Sequence, residues 1–67
     1  MPRYIYRDFV TGKLRWTCGK FVAWTQDGPL HAWGAFFQRR ASVLWIPAYL
    51  LTPDTRKMLP PIPGQGL

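Results

Sequence analysis

PLHAWGAFFQRRASVLWI, running from Pro29 to Ile46, carries the choice between helix and strand for the middle of the chain. At 100° per residue, Leu30, Trp33, Phe37, Ala41 and Leu44 fall on one stripe with Gly34 and Trp45 beside it, while His31, Gln38, Arg39 and Ser42 lie opposite. That spacing predicts an amphipathic helix. Pro29 suits a first helical position, where its missing N–H has no partner to lose, and Pro47 favours termination at Ile46. The polar side is incomplete, because Phe36 and Val43 extend the apolar surface. Ser42–Ile46 also fits a short buried strand, and that reading stands beside the helical one.

Upstream, the sequence reads as antiparallel sheet. Tyr4–Val10 is rich in aromatic and β-branched residues, Thr11-Gly12 makes a tight turn, and Leu14–Cys18 alternates in character. A two-residue turn sets Val10 opposite Lys13, Phe9 opposite Leu14, Asp8 opposite Arg15, Arg7 opposite Trp16 and Ile5 opposite Cys18. One face then gathers Ile5, Phe9, Leu14, Trp16 and Cys18, with Arg7 among them, and is expected to be buried. The other carries Tyr4, Tyr6, Asp8, Val10, Lys13, Arg15 and Thr17 and is expected to face outward, with an Asp8–Arg15 cross-strand pair. Gly19-Lys20 is either a second turn leading to a strand over Phe21–Thr25, or a bulge in one long bent strand. Asp27-Gly28-Pro29 ends the sheet.

Downstream, Thr52-Pro53-Asp54 starts one or two helical turns through Arg56, Lys57 and Met58: Thr as cap, Pro in the first position, acid in the first turn and bases in the last. Pro60-Pro61-Ile62-Pro63-Gly64-Gln65-Gly66-Leu67 favours an extended, polyproline-like path. The expected architecture is a small α+β fold: an antiparallel β-hairpin or three-stranded meander, one amphipathic helix and a Pro-rich extended C-terminal tail. The domain is placed at residues 1–58 and the tail at 59–67.

At 67 residues the chain supports one domain with a small core, which aromatic residues, 16% of the chain, can fill densely. Nine Lys and Arg against three acids give a net charge of +6. The bases are dispersed, so any positive patch has to be assembled by folding. A single cysteine, Cys18, cannot form an internal disulfide, and no secretory pattern is seen at the N-terminus, so the expected location is cytoplasmic or another reducing compartment. Val43–Leu51 is apolar but short and interrupted by Pro47. No transmembrane span is expected, and peripheral membrane contact stays open.

The inventory for catalysis is poor. His31 and Cys18 are the only residues of their kinds, Glu is absent, and Asp8, Asp27 and Asp54 are far apart in sequence. Neither zinc ligation nor two-carboxylate hydrolysis is supplied. Gly12-Lys13 and Gly19-Lys20 lack the further Gly and the Ser/Thr of a phosphate-binding loop and read as turns. No enzyme activity, cofactor, metal or small-molecule substrate is expected.

Two binding classes remain. The first is contact with nucleic acid, DNA or RNA, or with a ribonucleoprotein. The outward sheet face would offer Tyr4, Tyr6, Lys13 and Arg15 with Arg3 at its edge, bases for phosphate and aromatic faces for stacking, and Arg39-Arg40 would add a second basic site. The second is an inhibitor, adaptor, viral-type regulator or accessory subunit that binds a larger protein assembly or an acidic protein surface. Its anchors would be Arg39, Arg40, Trp45 and Tyr49 on the helix surface, helped by the Pro-rich tail.

Overall fold

The computed structural model describes residues 2–64; the last three residues of the expected tail lie outside them. Five strands, β1 (Arg3–Arg7), β2 (Leu14–Cys18), β3 (Lys20–Asp27), β4 (Ala32–Arg39) and β5 (Ser42–Pro47), precede a 3-10 turn over Ala48–Leu50 and a short helix α1 (Pro53–Lys57). They form two antiparallel sheets, one of β1 and β2, the other in the order β3-β4-β5. The class is small α+β, as expected. Its helix, however, is the short one after Thr52, and Pro29–Ile46 folds as a strand hairpin.

That correction has a physical cause. Apolar residues at Trp33, Ala35 and Phe37 satisfy a period of two, although Trp33 and Phe37 also fall on the helical stripe, and the intervening Gly34, Phe36 and Gln38 form the opposite row. Gly34 fits the strand arrangement. A Cβ there would overlap the Trp45 indole, so the glycine is where a ring on β5 lies flat against β4, the close approach for which strands use glycine. The Trp45 Nε1 then donates to Thr25 Oγ1 on β3 at 3.1 Å, pinning all three strands on that face. Gly28 (φ 76°) and His31 (φ 49°) turn the chain between β3 and β4, with the His31 amide donating to the Gly28 carbonyl at 3.1 Å. Pro29 therefore sits in a strand-to-strand turn.

The first hairpin forms, but in a register displaced by two residues from the expected one. Arg3 pairs with Cys18, Tyr4 with Thr17, Ile5 with Trp16, Tyr6 with Arg15 and Arg7 with Leu14. The cause is a wider loop: the Asp8 amide donates to the Lys13 carbonyl at 2.8 Å and the Gly12 amide to the Asp8 carbonyl at 2.9 Å. Asp8 Oδ1 accepts from the Val10 and Thr11 amides at 2.8 and 2.9 Å. A shift of two keeps every side chain on its face, so the sorting into two rows holds. Their orientation is reversed: Tyr4 is buried at 7% exposure, whereas Trp16 is 54% exposed and Ile5 and Leu14 are also open.

The core lies between the two sheets. Tyr4, Ala35, Phe37, Ile46, Leu51 and Leu59 form it, with Tyr6, Phe21, Trp24 and Leu50 packed against it. The Tyr4 and Phe37 rings stand 4.5 Å apart between centroids, within the favourable range for aromatic pairs. The outer edge of β1 is closed by the C-terminal segment. Tyr6 bridges to Leu51, the Thr52 amide donates to the Ile5 carbonyl at 3.1 Å, and the Ile5 amide donates to Thr55 Oγ1 at 2.9 Å. Thr52 caps α1 as expected, accepting from the Thr55 amide at 3.3 Å with Pro53 in the first position. Beyond α1 the chain runs without regular structure to Gly64. Ile62 is buried, and Trp24 Nε1 donates to the Pro60 carbonyl at 2.8 Å.

Candidate binding surfaces

Alternation in the first hairpin sends Arg3, Ile5 and Arg7 of β1 and Leu14, Trp16 and Cys18 of β2 to the outward face. Arg3 lies with its guanidinium 4.6 Å from the centre of the Trp16 ring, a cation–π geometry. Arg7 is tied to the loop by a guanidinium hydrogen bond to the Gly12 carbonyl. Phe9, 78% exposed, and Val10 stand at the tip of the same hairpin. Apolar side chains are thus bracketed by two cations on a two-stranded sheet.

The site residues read from sequence separate. Tyr4 is in the core and Tyr6 is half-buried on the same inward row, so the two rings do not form the expected outward tyrosine platform. The physical reason is that Arg3 and Arg7 both sit on the other row, where burial would strip two guanidiniums of water. That pair of arginines was the signal in the sequence, outweighed there by Ile5, Phe9, Leu14 and Trp16. Lys13 is exposed opposite Asp8. Arg15 Nη1 meets Asp8 Oδ2 at 3.2 Å, so the expected ion pair forms, but diagonally, since Arg15 is registered with Tyr6. The Thr11 amide, then Arg15 and the Val10 amide, hold the Asp8 carboxyl below the usual carboxylate range.

Arg39 and Arg40 are exposed at the β4–β5 turn, and Arg40 has φ 55°. Trp45 is on the opposite sheet face from Arg39 and is half-buried over Gly34. Tyr49 is exposed in the 3-10 turn. It lines a shallow apolar cavity of about 180 Å³ with Leu30, Trp45 and Pro47. The anchors expected on one helix surface are therefore dispersed over a hairpin and a turn, because the helix is absent. Trp16, Ile5, Arg7, Leu14 and Phe9 take their place as the exposed group.

His31 is exposed in a turn, and Cys18 is a partly exposed free thiol. Among the described residues no three His, Cys, Asp or Glu side chains are grouped to hold a metal ion, and no helix is long and apolar enough to cross a membrane. No family model matches the chain, and neither a curated protein nor a solved structure matches it.

Proposed function

We propose that this chain is a non-enzymatic binding protein, an accessory subunit that docks on a larger assembly through the outward face of β1–β2, against a protein surface that is acidic around an apolar recess. The observation that carries this reading is the exposed Trp16 under Arg3, flanked by Ile5 and Leu14 and followed by Arg7. Trp and Arg are the residues most enriched at the energetic centres of protein interfaces. Contiguous apolar patches rimmed by polar groups are uncommon on proteins without such a role. Arg3 and Arg7 supply the charge that an acidic rim would complement.

The test places a photo-crosslinking residue at Leu14, and in a control chain at Lys57, in native extract. Crosslinking to one protein from position 14 only, followed by loss of its measured affinity in Trp16→Ala, supports the reading. Equal crosslinking from both positions, or unchanged affinity in Trp16→Ala, refutes it.

Contact with nucleic acid or a ribonucleoprotein is the second reading, favoured by where the acids are. Asp8 is engaged by Arg15, Asp27 Oδ1 accepts from the Gly28 amide at 2.7 Å, and Asp54 sits in the first turn of α1. The +6 surplus is left on the surface. Titration with mixed-sequence oligonucleotides at several salt concentrations tests it. Affinity should fall with salt at a slope of roughly 0.7 to 0.9 per phosphate contacted, and binding weaker than about 10⁻⁴ M at physiological salt removes this reading.

A further inference from the structure

At one end of the space between the sheets, the inward row of β4 and β5 changes character. Ala35, Phe37 and Ile46 on that row are buried. The register then carries it through the Phe37–Leu44 pair to the Arg39–Ser42 pair at the hairpin tip. Thr17 belongs to the inward row of β2, opposite Tyr4. Thr17, Arg39, Arg40, Ser42 and Leu44 together line a cavity of about 320 Å³, within the range of roughly 300 to 1,000 Å³ in which small-ligand sites fall.

The lining has two guanidiniums, two hydroxyl side chains and no carboxylate. Among the described residues Arg15–Asp8 is the one ion pair, so neither Arg39 nor Arg40 is neutralised by an acid there. Two arginines beside one concave surface repel each other until an anion enters. Arg40 also holds a left-handed backbone conformation, φ 55°, at the first position of the two-residue turn before Ser42. Glycine adopts that conformation without strain, whereas a residue with a Cβ does not. A two-residue hairpin turn demands a positive φ at its first position, so the strain belongs to the turn, and Arg40→Gly removes the side chain while suiting the backbone.

We infer that this cavity binds a phosphate group carried on a nucleotide or a nucleic-acid strand. The Arg39 and Arg40 guanidiniums match phosphate oxygens as paired N–H donors. Ser42 adds a hydroxyl donor, and Leu44 offers apolar surface to the attached nucleoside. The Thr17 hydroxyl already donates to the Cys18 carbonyl at 3.3 Å and forms the wall. This site is separate from the β1–β2 face and stands whether or not that face binds a protein.

The experiment follows backbone amide shifts of the full chain by NMR during titration with inorganic phosphate, adenosine monophosphate and a short oligothymidylate. Shifts at Arg39, Arg40 and Ser42 are expected. Arg40→Gly and Arg39→Gln should each weaken binding about tenfold or more, as for loss of a charge-assisted hydrogen bond. Arg40→Gly should melt at or above the wild-type temperature, because glycine relieves the turn, so its loss of binding cannot come from unfolding. Tighter binding of the oligonucleotide than of the two small probes identifies a strand as the source of the phosphate; equal binding of adenosine monophosphate and the oligonucleotide, both above inorganic phosphate, identifies a nucleotide; equal binding of all three overturns the nucleoside contact. Absence of shifts at Arg39, Arg40 and Ser42 with all three probes, or wild-type affinity in folded Arg40→Gly, overturns the inference.

Discussion

Which face of the first hairpin is buried can be tested by comparing Tyr4→Ala with Trp16→Ala. Tyr4 is 7% exposed and its ring packs on Phe37. Removing a buried aromatic side chain costs about 3 to 5 kcal/mol, transfer and cavity together. A domain of this length has in all roughly 3 to 10 kcal/mol of stability, so Tyr4→Ala should remove a large part of it. At about 4–8 °C per kcal/mol, the melting temperature should fall by at least about 12 °C. Trp16 is more than half exposed and touches Arg3, so its truncation should cost no more than about 1 kcal/mol, the size of an exposed cation–π contact. Urea unfolding followed by far-UV circular dichroism gives both values on one scale. Tyr4→Phe, which keeps the ring against Phe37, should stay close to wild type. If Trp16→Ala proves more destabilising than Tyr4→Ala, the hairpin is turned the other way and the outward binding face described above does not exist.

Gly34→Ala should destabilise by about 1 to 3 kcal/mol through overpacking against Trp45, with a changed near-UV spectrum; unaltered stability would show that the indole does not lie there. Thr55→Val keeps shape but leaves the Ile5 amide without its acceptor and α1 without the Thr52–Thr55 hydroxyl bond, a loss of about 1 to 3 kcal/mol. Hydrogen exchange at Ile5 should accelerate, and unchanged protection would refute the contact. The Asp8 carboxyl should titrate below the ordinary value near 3.9. Because its folded pKa is depressed, its contribution is fully present above the unfolded value and is lost as pH falls through the folded one, below about pH 4. Asp8→Asn should flatten stability in that window, and a carboxyl midpoint at or above 3.9 by NMR would contradict the loop geometry.

Features with a local cause were legible in the sequence. The Thr52-Pro53 helix start needs only the cap hydroxyl and the missing proline N–H, and both act within one turn. The pairing of Asp8 with Arg15 survived a two-residue error in register because their side chains reach diagonally. Non-local features were not legible. Pro29–Ile46 satisfies both periodicities, and its turn at Arg40-Ala41 contains no Gly, Pro, Asn or Asp to announce it; the strand alternative was legible only for Ser42–Ile46, which falls in β5. The inward direction of Tyr4 depends on Phe37, Ile46 and Leu59, which are distant in sequence. Arg39 and Arg40 could be named as a basic pair, but their convergence with Thr17 on a cavity is a product of the fold.

The way β1 is held bears on how the chain reaches its native state. β3, β4 and β5 are joined by short turns, and hairpins of that kind form within about 1–10 μs. The Ile5 amide, by contrast, finds its acceptor 50 positions along the chain, and the Trp24 indole finds the Pro60 carbonyl 36 positions along. Such closures cost chain entropy before any contact compensates, and they slow folding. Until the segment from Leu51 to Ile62 is laid down, β1 keeps an unpaired edge, the kind of edge on which neighbouring chains aggregate. The segment 51–55 thus acts as a clasp on β1: its docking is a late, long-range closure that covers one sheet edge otherwise open to self-association.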